Sequence, residues 1–330
     1  MKRTRYVLGV DLGGTKISVG AMTADGKRQL GQRTEATLAA EGADAVVGRI
    51  ASLIEATIAA VTKETGATRD DILGVGIGSP GPLDRERGIV ITTPNLGWHN
   101  FPLRDRVADA TALRATLDND ANCATLGEWW IGAARGGRNV VGMTIGTGIG
   151  GGLILDGKLY HGSSDVAGEI GHTSIEFNGR RCKCGNEGCL EAYASGPATA
   201  ERAREALAGG ESSALIAMAG GDLSTLTAHH VYDAALKGDR VAREIVRETA
   251  RFIGAGIANL LNIFNPDVVV LAGGVAEAGE ELFAPVRMEV RRRAFKAAVE
   301  ACRIVPGALH GAAGVVGAVA TFLERYPAEV

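Results

Sequence analysis

The sequence predicts an α/β protein of two domains, and three observations lead to this prediction. The chain has 330 residues, which exceeds the length that a single hydrophobic core usually serves. Short β-branched runs alternate with longer stretches of helical periodicity. A strand, a glycine turn that carries threonine and a second strand occur at residues 6–22 and again at residues 139–155. This repeat in the two halves indicates a duplicated architecture.

In the first half, two apolar strands flank a glycine turn. The runs Tyr6–Val10 and Ile17–Met22 are rich in β-branched residues, and Asp11–Lys16 lies between them, so the segment is predicted to be a hairpin. Arg28–Glu35 is predicted to be a third strand. From Asp44 to Val61 apolar residues recur at intervals of three and four, which predicts an amphipathic helix.

The rest of this half leads to two polar residues at the start of a helix. Ile72–Ile77 is predicted to be a buried strand that ends in the loop Gly78–Pro82, where prolines and glycines fix the path of the chain. Leu113–Leu117 is predicted to be the next strand. A helix is expected over Ala121–Trp130, and either member of the pair Asn119-Asp120 could cap it.

The second half repeats the opening design and then becomes mainly helical. Asn139–Ile145 is predicted to be a strand, followed by the glycine loop Gly146–Gly152 and by a second strand, Leu153–Leu155. The later elements are a long helix that stops at Asn265-Pro266, a buried strand over Val268–Leu271 that runs into Gly273-Gly274, and a buried helix over Gly311–Glu324.

The composition is that of a soluble globular enzyme, with 46% hydrophobic and 22% charged residues. The net charge is −3 and no basic run occurs, so we expect no nucleic-acid partner. The N-terminus lacks a signal pattern, and the longest apolar run, near residues 312–323, is too short to cross a bilayer. The sequence therefore predicts a cytoplasmic protein without a membrane partner.

Four residues near the middle of the chain have the composition of a structural zinc site. Cys182, Cys184 and Cys189 fall within eight residues, and His172 stands ten residues before the first of them. Three thiolates and an imidazole fill a tetrahedral zinc site and leave no position for a reactive water, which disfavours a zinc hydrolase. The alternatives are a redox pair or unrelated loop thiols. A disulfide is disfavoured because cysteines one residue apart close poorly.

Both glycine hairpins are candidates for binding phosphate. Glycine allows backbone N–H groups to approach a phosphate closely, and threonine adds a hydroxyl donor. An aspartate at the start of such a hairpin could hold Mg²⁺, and a lysine could supply a counter-charge. Neither hairpin has the Walker A pattern or the dinucleotide fingerprint, and a tight turn is the alternative for each. The candidates are Asp11, Gly13, Gly14, Thr15 and Lys16 in the first hairpin, and Gly146, Thr147 and Gly148 in the second.

Three carboxylates are candidates for a sugar-phosphorylating site. Asp120, at a helix start, could accept the proton of an attacking hydroxyl, although a helix cap is the simpler interpretation. Glu169 and Glu191 bracket the four possible zinc ligands, and carboxylates bind adjacent sugar hydroxyls well. The alternative is that both glutamates are solvated loop residues without a binding role. If His172 binds zinc through one ring nitrogen, the other is free to meet a sugar oxygen.

Several motifs together resemble those of the ROK family, which groups repressors, open reading frames and sugar kinases. They are DLGGTK at 11–16, GSPGP at 78–82, LDNDANCA at 117–124, GTGIGGG at 146–152, GEIGH at 168–172 and CKCGNEGCLE at 182–191. The resemblance implies the actin-like, ribonuclease H-related fold with an interdomain cleft that holds ATP and a sugar. The expected domains are residues 1–118 with 312–330, and residues 119–311 with the zinc-binding loop.

The resemblance also implies roles for individual residues. Asp120 matches the catalytic base of the family. The matching sugar-binding residues are Gly81, Asn119, Asp120, Glu169, His172 and Glu191, and the matching zinc ligands are His172, Cys182, Cys184 and Cys189. The two phosphate hairpins match at residues 11–16 and from Thr144 to Gly151. Gly273 and Gly274 match the loop that binds adenosine. The implied cofactors are ATP, Mg²⁺ and structural zinc.

Within the family, NLGWHNFPL at 95–103 is similar to the members that phosphorylate glucose at the C6 hydroxyl. Kinases for fructose, mannose, N-acetylmannosamine or N-acetylglucosamine share most motifs and stay open, as does a non-catalytic sugar sensor. Only five residues precede the strand that begins at Tyr6 and leads into DLGGTK, so we expect no DNA-binding helix-turn-helix. The resemblance to the family also implies a homodimer or a homotetramer. Polyphosphate as an alternative donor stays open.

Overall fold

The computed structural model describes residues 3–327 and contains a five-stranded sheet in its first part. The strands of this part are β1 (Tyr6–Leu12), β2 (Lys16–Thr23), β3 (Gln29–Ala36), β4 (Ile72–Ser79), β5 (Leu83–Asp84), β6 (Ile89–Thr93), β7 (Trp98–Phe101) and β8 (Ala115–Asn119). The order β3-β2-β1-β4-β8 forms the sheet that we call the N-terminal sheet, and β5-β6-β7 form a small separate sheet.

A second five-stranded sheet, here called the C-terminal sheet, repeats this topology. Its strands are β9 (Val140–Ile145), β10 (Ile149–Leu155), β11 (Lys158–Leu159), β12 (Val268–Ala272) and β13 (Arg303–Pro306), in the order β11-β10-β9-β12-β13. β1 and β9 each pair antiparallel with the following strand and parallel with a later one. The predicted duplication and the α/β class are therefore confirmed.

Helices cover and connect the two sheets. They are α1 (Ala43–Thr65), α2 (Leu103–Thr111), α3 (Asp120–Trp130), α4 (Glu191–Ala194), α5 (Gly196–Ala208), α6 (Leu215–Met218), α7 (Ala228–Leu236), α8 (Arg240–Phe264), α9 (Glu280–Arg293), α10 (Lys296–Ala301) and α11 (Ala313–Arg325). The long helix α8 stops where the sequence predicts, because Asn265 adopts the left-handed conformation at its end.

α1 shows how the N-terminal core forms. Its residues Val46, Ile50 and Ile54 are buried together with Leu8 and Val10 of β1. Within residues 3–327, α1 is also the one helix whose length and composition would allow it to cross a membrane, although these two criteria also admit the core helix of a globular protein. The burial of its apolar face in this cluster explains that composition.

α3 and α11 pack directly against each other between the two sheets. A Cβ added at Gly317 of α11 would overlap the carbonyl of Cys123 in α3, so the two backbones touch at this position. α11 also lies on the N-terminal sheet, where Val316 and Val319 pack with Val7. The predicted domain boundaries, between 118 and 119 and between 311 and 312, fall beside the starts of these two helices and stay a prediction.

A buried carboxylate strengthens the same junction. Glu128 of α3 is 1% exposed. It accepts backbone N–H bonds from Ala133 at 2.8 Å, from Ala308 at 3.0 Å and from Leu309 at 2.8 Å. Because an unpaired buried carboxylate is costly, these three donors fix the segment before α11 to the end of α3.

Two predicted strands have different boundaries in the structure: the strand predicted over Leu113–Leu117 is β8, at Ala115–Asn119, and the second hairpin loop is shorter than predicted. The sequence predicts that the second hairpin loop runs to Gly152, but β10 begins at Ile149 and includes three glycines. Packing explains the difference, because β10 lies close to α3. A Cβ at Gly150 would lie 2.7 Å from the Cβ of Ala121, and one at Gly152 would overlap Thr125. These glycines therefore allow close strand–helix packing and are not part of the turn.

Candidate active site

The first glycine hairpin connects β1 to β2. Its predicted phosphate-binding residues lie at the end of β1, in the turn and at the start of β2: Asp11, Gly13, Gly14, Thr15 and Lys16. The Gly13 N–H donates to the Lys16 carbonyl at 2.9 Å and closes the turn. The Thr37 hydroxyl donates to the Gly13 carbonyl at 2.7 Å. Burial raises the pKa of the Asp11 carboxyl, and Lys16 opposes this shift.

The second hairpin connects β9 to β10 and is joined to α5. Thr144 lies in β9, and Gly146, Thr147 and Gly148 form the turn. The Gly146 N–H donates to the Gly148 carbonyl at 2.9 Å, and the Gly146 carbonyl accepts from the Gly196 N–H at 2.8 Å. The hairpin is therefore fixed to the N-terminus of α5, whose first N–H group is occupied by the Gly146 carbonyl.

The predicted adenosine loop abuts the same hairpin. Gly273 follows β12 with a φ of 89°, a conformation that glycine adopts readily. A Cβ there would lie 2.5 Å from the Ile145 carbonyl oxygen at the end of β9. Gly274 begins the short 3-10 turn that follows. The loop therefore lies next to the β9–β10 hairpin, and only the backbone of its two glycines can make contacts there.

Asn119 and Asp120 occupy the junction between β8 and α3. The Asn119 Oδ1 accepts the N–H groups of Ala121 at 2.9 Å and Asn122 at 3.1 Å, so Asn119 is the helix cap. Asp120 is the first helical residue, and its Oδ1 accepts the Ala121 N–H at 2.8 Å. The capping function thus falls to Asn119 and leaves one carboxylate oxygen of Asp120 available.

The electrostatic surroundings of Asp120 are unusual for an aspartate. Burial, followed by the negative charges of Asp11 and Glu169, raises its pKa to about 7. Asp11 belongs to the N-terminal sheet, and Glu169 to the segment that follows β11 of the C-terminal sheet. Carboxylates from both halves of the chain therefore act on one side chain. A carboxylate with a pKa near neutrality is well suited to accept a proton.

Glu169, His172 and Glu191 form a group beside the second hairpin. Burial raises the pKa of Glu169, His172 lowers it and Glu191 raises it, so the three side chains interact. The Glu191 Oε2 accepts the Ile149 N–H at 2.8 Å. A Cβ at Gly148 would lie 2.6 Å from the same oxygen. The predicted sugar-binding group thus contacts the predicted phosphate-binding hairpin.

Gly81, also predicted to bind sugar, lies in the loop between β4 and β5. Its φ is 95°, and a Cβ there would overlap the carbonyl oxygen of Thr92 in β6. The residue is therefore a glycine because the small sheet approaches closely. Its recorded neighbours belong to that sheet, so its connection with the carboxylate group rests on the sequence resemblance.

The four predicted zinc ligands come together. The ligand atoms of His172, Cys182, Cys184 and Cys189 all lie within 4.8 Å of one another. His172 Nδ1 is 3.7 Å from Cys182 Sγ, and Cys184 Sγ is 3.7 Å from Cys189 Sγ. A tetrahedral zinc ion with Zn–S bonds of about 2.3 Å separates its ligands by roughly 3.8 Å. The spacing therefore fits a zinc ion.

The chemistry of these thiols also fits a cation. Burial and the two neighbouring thiols raise the pKa of Cys189 to about 12. Three adjacent thiols cannot all ionise without a positive ion between them, whereas a bound metal deprotonates them. Since Nδ1 of His172 faces the cysteines, Nε2 is on the opposite side of the ring.

A cluster of four charged or titratable residues lies together in the structure but is not identified from the sequence. They are Arg85, Asp118, His161 and Asp165, here called the Asp118 cluster. Asp118 is fully buried, and its Oδ2 lies 2.9 Å from both Arg85 Nε and His161 Nε2. Asp118 stands two residues before Asp120 in the LDNDANCA motif, which is the one signal that could have pointed to it. Nothing in the pattern around Arg85, His161 or Asp165 marks them, because the fold alone brings these segments together.

Known proteins match this chain over nearly its whole length. The model of the ROK family matches residues 7–325. A glucokinase of Thermotoga maritima is 41% identical over 320 residues, which cover 97% of this chain and 98% of that protein.

Two solved structures share the fold over nearly their full length. A ROK family glucokinase from Streptomyces griseus, in complex with glucose and AMPPNP, superposes with a TM-score of 0.81 at 36% identity and covers 96% of this chain and 98% of its own. A ROK hexokinase from Thermus thermophilus has a TM-score of 0.80 at 34% identity, with 98% and 99% covered. The actin-like fold is therefore confirmed.

Proposed function

The chain belongs to the ROK family, and we propose that it is a kinase that transfers the terminal phosphoryl group of ATP to the C6 hydroxyl of glucose. The observation that carries the proposal is the position of Asp120. It lies at the start of a helix. Burial and the negative charges of Asp11, in the first hairpin, and of Glu169, in the proposed sugar-binding group, raise its pKa to about 7. The glucokinases of similar sequence and the complex with glucose and AMPPNP favour the same reaction.

Asp120 is the general base in this proposal. Its free carboxylate oxygen accepts the proton of the C6 hydroxyl as that oxygen attacks the γ-phosphorus in line. Its raised pKa matches this task, because the carboxylate is deprotonated in a large fraction of molecules at neutral pH yet is a stronger base than an exposed aspartate. The backbone of α3 keeps the group rigid.

The sugar hydroxyls are bound by side chains around this base. Glu169 and Glu191 accept hydrogen bonds from adjacent hydroxyls, and His172 donates one from Nε2. The Oδ1 of Asn119 is used by the helix cap, so its amide group donates to the sugar. Gly81 leaves room for the ring. Fixing the hydroxyls in this way also fixes the distance from C6 to Asp120.

ATP is bound by the two hairpins. The N–H groups of Gly13 and Gly146 close the two turns, so those of residues 14–16 and 147–148 face the phosphates. Lys16 and the hydroxyls of Thr15, Thr144 and Thr147 are further donors, and Gly273-Gly274 borders the adenosine. Asp11 would hold Mg²⁺, which when bound neutralises charge on the phosphates. The raised pKa of Asp11 and its proximity to Asp120 are consistent with a cation at this position.

Zinc at His172, Cys182, Cys184 and Cys189 has a structural role. All four ligand positions belong to the protein, so the metal fixes the loop and does not activate water. Its importance for the reaction is indirect, since His172 is both ligand and sugar donor and Glu191 follows Cys189 by two residues. The domain division at 118/119 and 311/312, a cytoplasmic location and a homodimer or homotetramer complete the proposal.

An ADP-release assay against a panel of hexoses tests the proposed function. We expect ADP release that depends on sugar and is fastest with glucose, and a product that glucose-6-phosphate dehydrogenase oxidises. A preference for mannose, fructose or an N-acetylhexosamine would show that the protein is a kinase for a different sugar. Binding of glucose without ADP release would instead indicate a sugar sensor.

A further inference from the structure

Asp118 has no assigned role in the proposed reaction, yet it is among the most buried charges of the protein. Its side chain is fully buried at the end of β8, two residues before the proposed base. Oδ1 accepts the Asn119 N–H at 2.8 Å and the Asn122 side-chain amide at 3.2 Å. One oxygen of Asp118 therefore holds the chain on both sides of Asp120.

The other oxygen faces two groups from distant segments. Oδ2 lies 2.9 Å from Arg85 Nε, which follows β5, and 2.9 Å from His161 Nε2, which follows β11. Because a carboxylate only accepts hydrogen bonds, His161 Nε2 must carry the hydrogen. A buried carboxylate requires such partners, and they keep the pKa of Asp118 below its usual value even though burial raises it.

A second ion pair connects the same segments. The Arg85 backbone N–H donates to Asp165 Oδ2 at 3.2 Å, and its guanidinium lies 3.7 Å from Asp165 Oδ1. The segment 161–167 is closed by the Ala167 N–H, which donates to the His161 carbonyl at 3.1 Å. Glu169 follows this closed segment by two residues. The Asp118 cluster thus ties the segment that leads to the sugar group to the segment that leads to the base.

We propose that His161 and Arg85 are positioning residues of the kinase: through Asp118 they hold Asn119 and Asp120 in place, and through Asp165 they hold the segment before Glu169 at a fixed distance from that base. This inference rests on the proposed function, since it assumes that Asp120 is the base and that Glu169 binds the sugar. The proposed function assigns neither residue a contact with a substrate.

Substitution of His161 tests the inference. His161→Phe keeps an aromatic ring and loses the donor, whereas His161→Gln keeps an N–H donor near the position of Nε2. We expect the Phe variant to lose about 10- to 100-fold in kcat with an unchanged KM for ATP, as is typical when a reacting group is displaced by a fraction of an ångström to one ångström. The Gln variant should recover to within about threefold of the wild type.

His229 provides the matched control, because it also faces a carboxylate, Asp233 at 3.7 Å, but is 84% exposed. His229→Phe should leave both constants unchanged. A second variant, Asp165→Asn, suits the left-handed backbone at this position and removes the charge that faces Arg85. It should raise the KM for glucose by about two- to fivefold, the effect of a partly exposed ion pair.

The results distinguish failure of this inference from failure of the proposed function. If the wild type does not phosphorylate glucose, the proposed function fails first. If the wild type is active and His161→Phe retains its kcat, the positioning role is wrong. The role is also wrong if the Gln variant is as impaired as the Phe variant, or if thermal unfolding shows that lost activity equals lost folded protein.

Discussion

At the scale of single residues, the proposed reaction depends on the different environments of two neighbouring carboxylates. Asp118 is buried but paired, and its pKa is lowered. Asp120 is two residues away, has few compensating partners, and its pKa is raised to about 7 by burial and by Asp11 and Glu169. The first is therefore a permanent charge that organises structure, and the second can exchange a proton near neutral pH.

The substitution Asp120→Asn tests the base directly, because asparagine has the same shape and keeps the bond to the Ala121 N–H. We expect kcat to fall by about 10²- to 10⁴-fold, the usual cost of removing a general base. Glucose binding, followed by calorimetry, should persist. Asp25→Asn, in the turn between β2 and β3, is the control. Near-normal turnover of the Asp120 variant would contradict the assignment.

The pH dependence follows from the direction of the Asp120 shift. A base with a pKa of about 7 is protonated below that pH, so it cannot accept the hydroxyl proton there. We expect kcat/KM for glucose to fall about tenfold per pH unit below pH 7 and to level off above it. A profile that stays flat down to pH 5 would show that no group of this pKa takes part.

At the scale of elements, we expect the loop between residues 172 and 191 to depend on the proposed zinc ion. Cys184→Ser should abolish zinc binding, measured as metal content of the purified protein, and should raise the KM for glucose more than the KM for ATP. The reason is that this loop includes His172 and ends at Glu191, two proposed sugar-binding residues, whereas the proposed ATP contacts lie in the hairpins. Cys302→Ser, outside the cluster, should retain the metal. Equal loss of both affinities would point to global unfolding.

The contact between α3 and α11 depends on a missing side chain. Gly317→Ala would push a methyl group into the Cys123 carbonyl, so we expect the free energy of unfolding to fall by about 3 kcal/mol, the upper end for an overpacked core. Gly48→Ala, also in a helix but facing open space, should raise it by about 0.5–1 kcal/mol. Urea denaturation measures both. A tolerated Gly317→Ala would mean that the helices can separate at little cost.

The same elements show what could be predicted from the sequence. The strands and helices that the sequence predicts follow from periodicity, and the four candidate metal ligands from spacing, because these signals are local. The predicted start of β10 was wrong, since Gly150 and Gly152 serve close contacts with α3, and Gly151 serves one with Gly168 and Ile170, that no local pattern shows. The Asp118 cluster was missed for the same reason: its members are up to 80 positions apart in sequence. The resemblance, and not spacing, singled out Gly81, Thr144 and the Gly273-Gly274 pair.

At the scale of the whole molecule, the two sheets of like topology each provide half of the proposed site. The N-terminal sheet carries Asp11 and ends, at β8, next to Asp120. The C-terminal sheet carries the second hairpin, which contacts Glu191. The account therefore requires both halves to enclose the substrates together and to exclude water, which would otherwise take the phosphoryl group. The helix pair α3–α11 and the Asp118 cluster connect the two halves.

A crystal structure with glucose and a non-hydrolysable ATP analogue tests the central claim most directly. We expect the C6 oxygen within about 2.6–3.2 Å of the Asp120 carboxylate, with the terminal phosphorus on its far side. Glu169, His172 and Glu191 should contact the other hydroxyls. A hexose bound elsewhere, or one whose C6 hydroxyl points away from Asp120, would contradict the account.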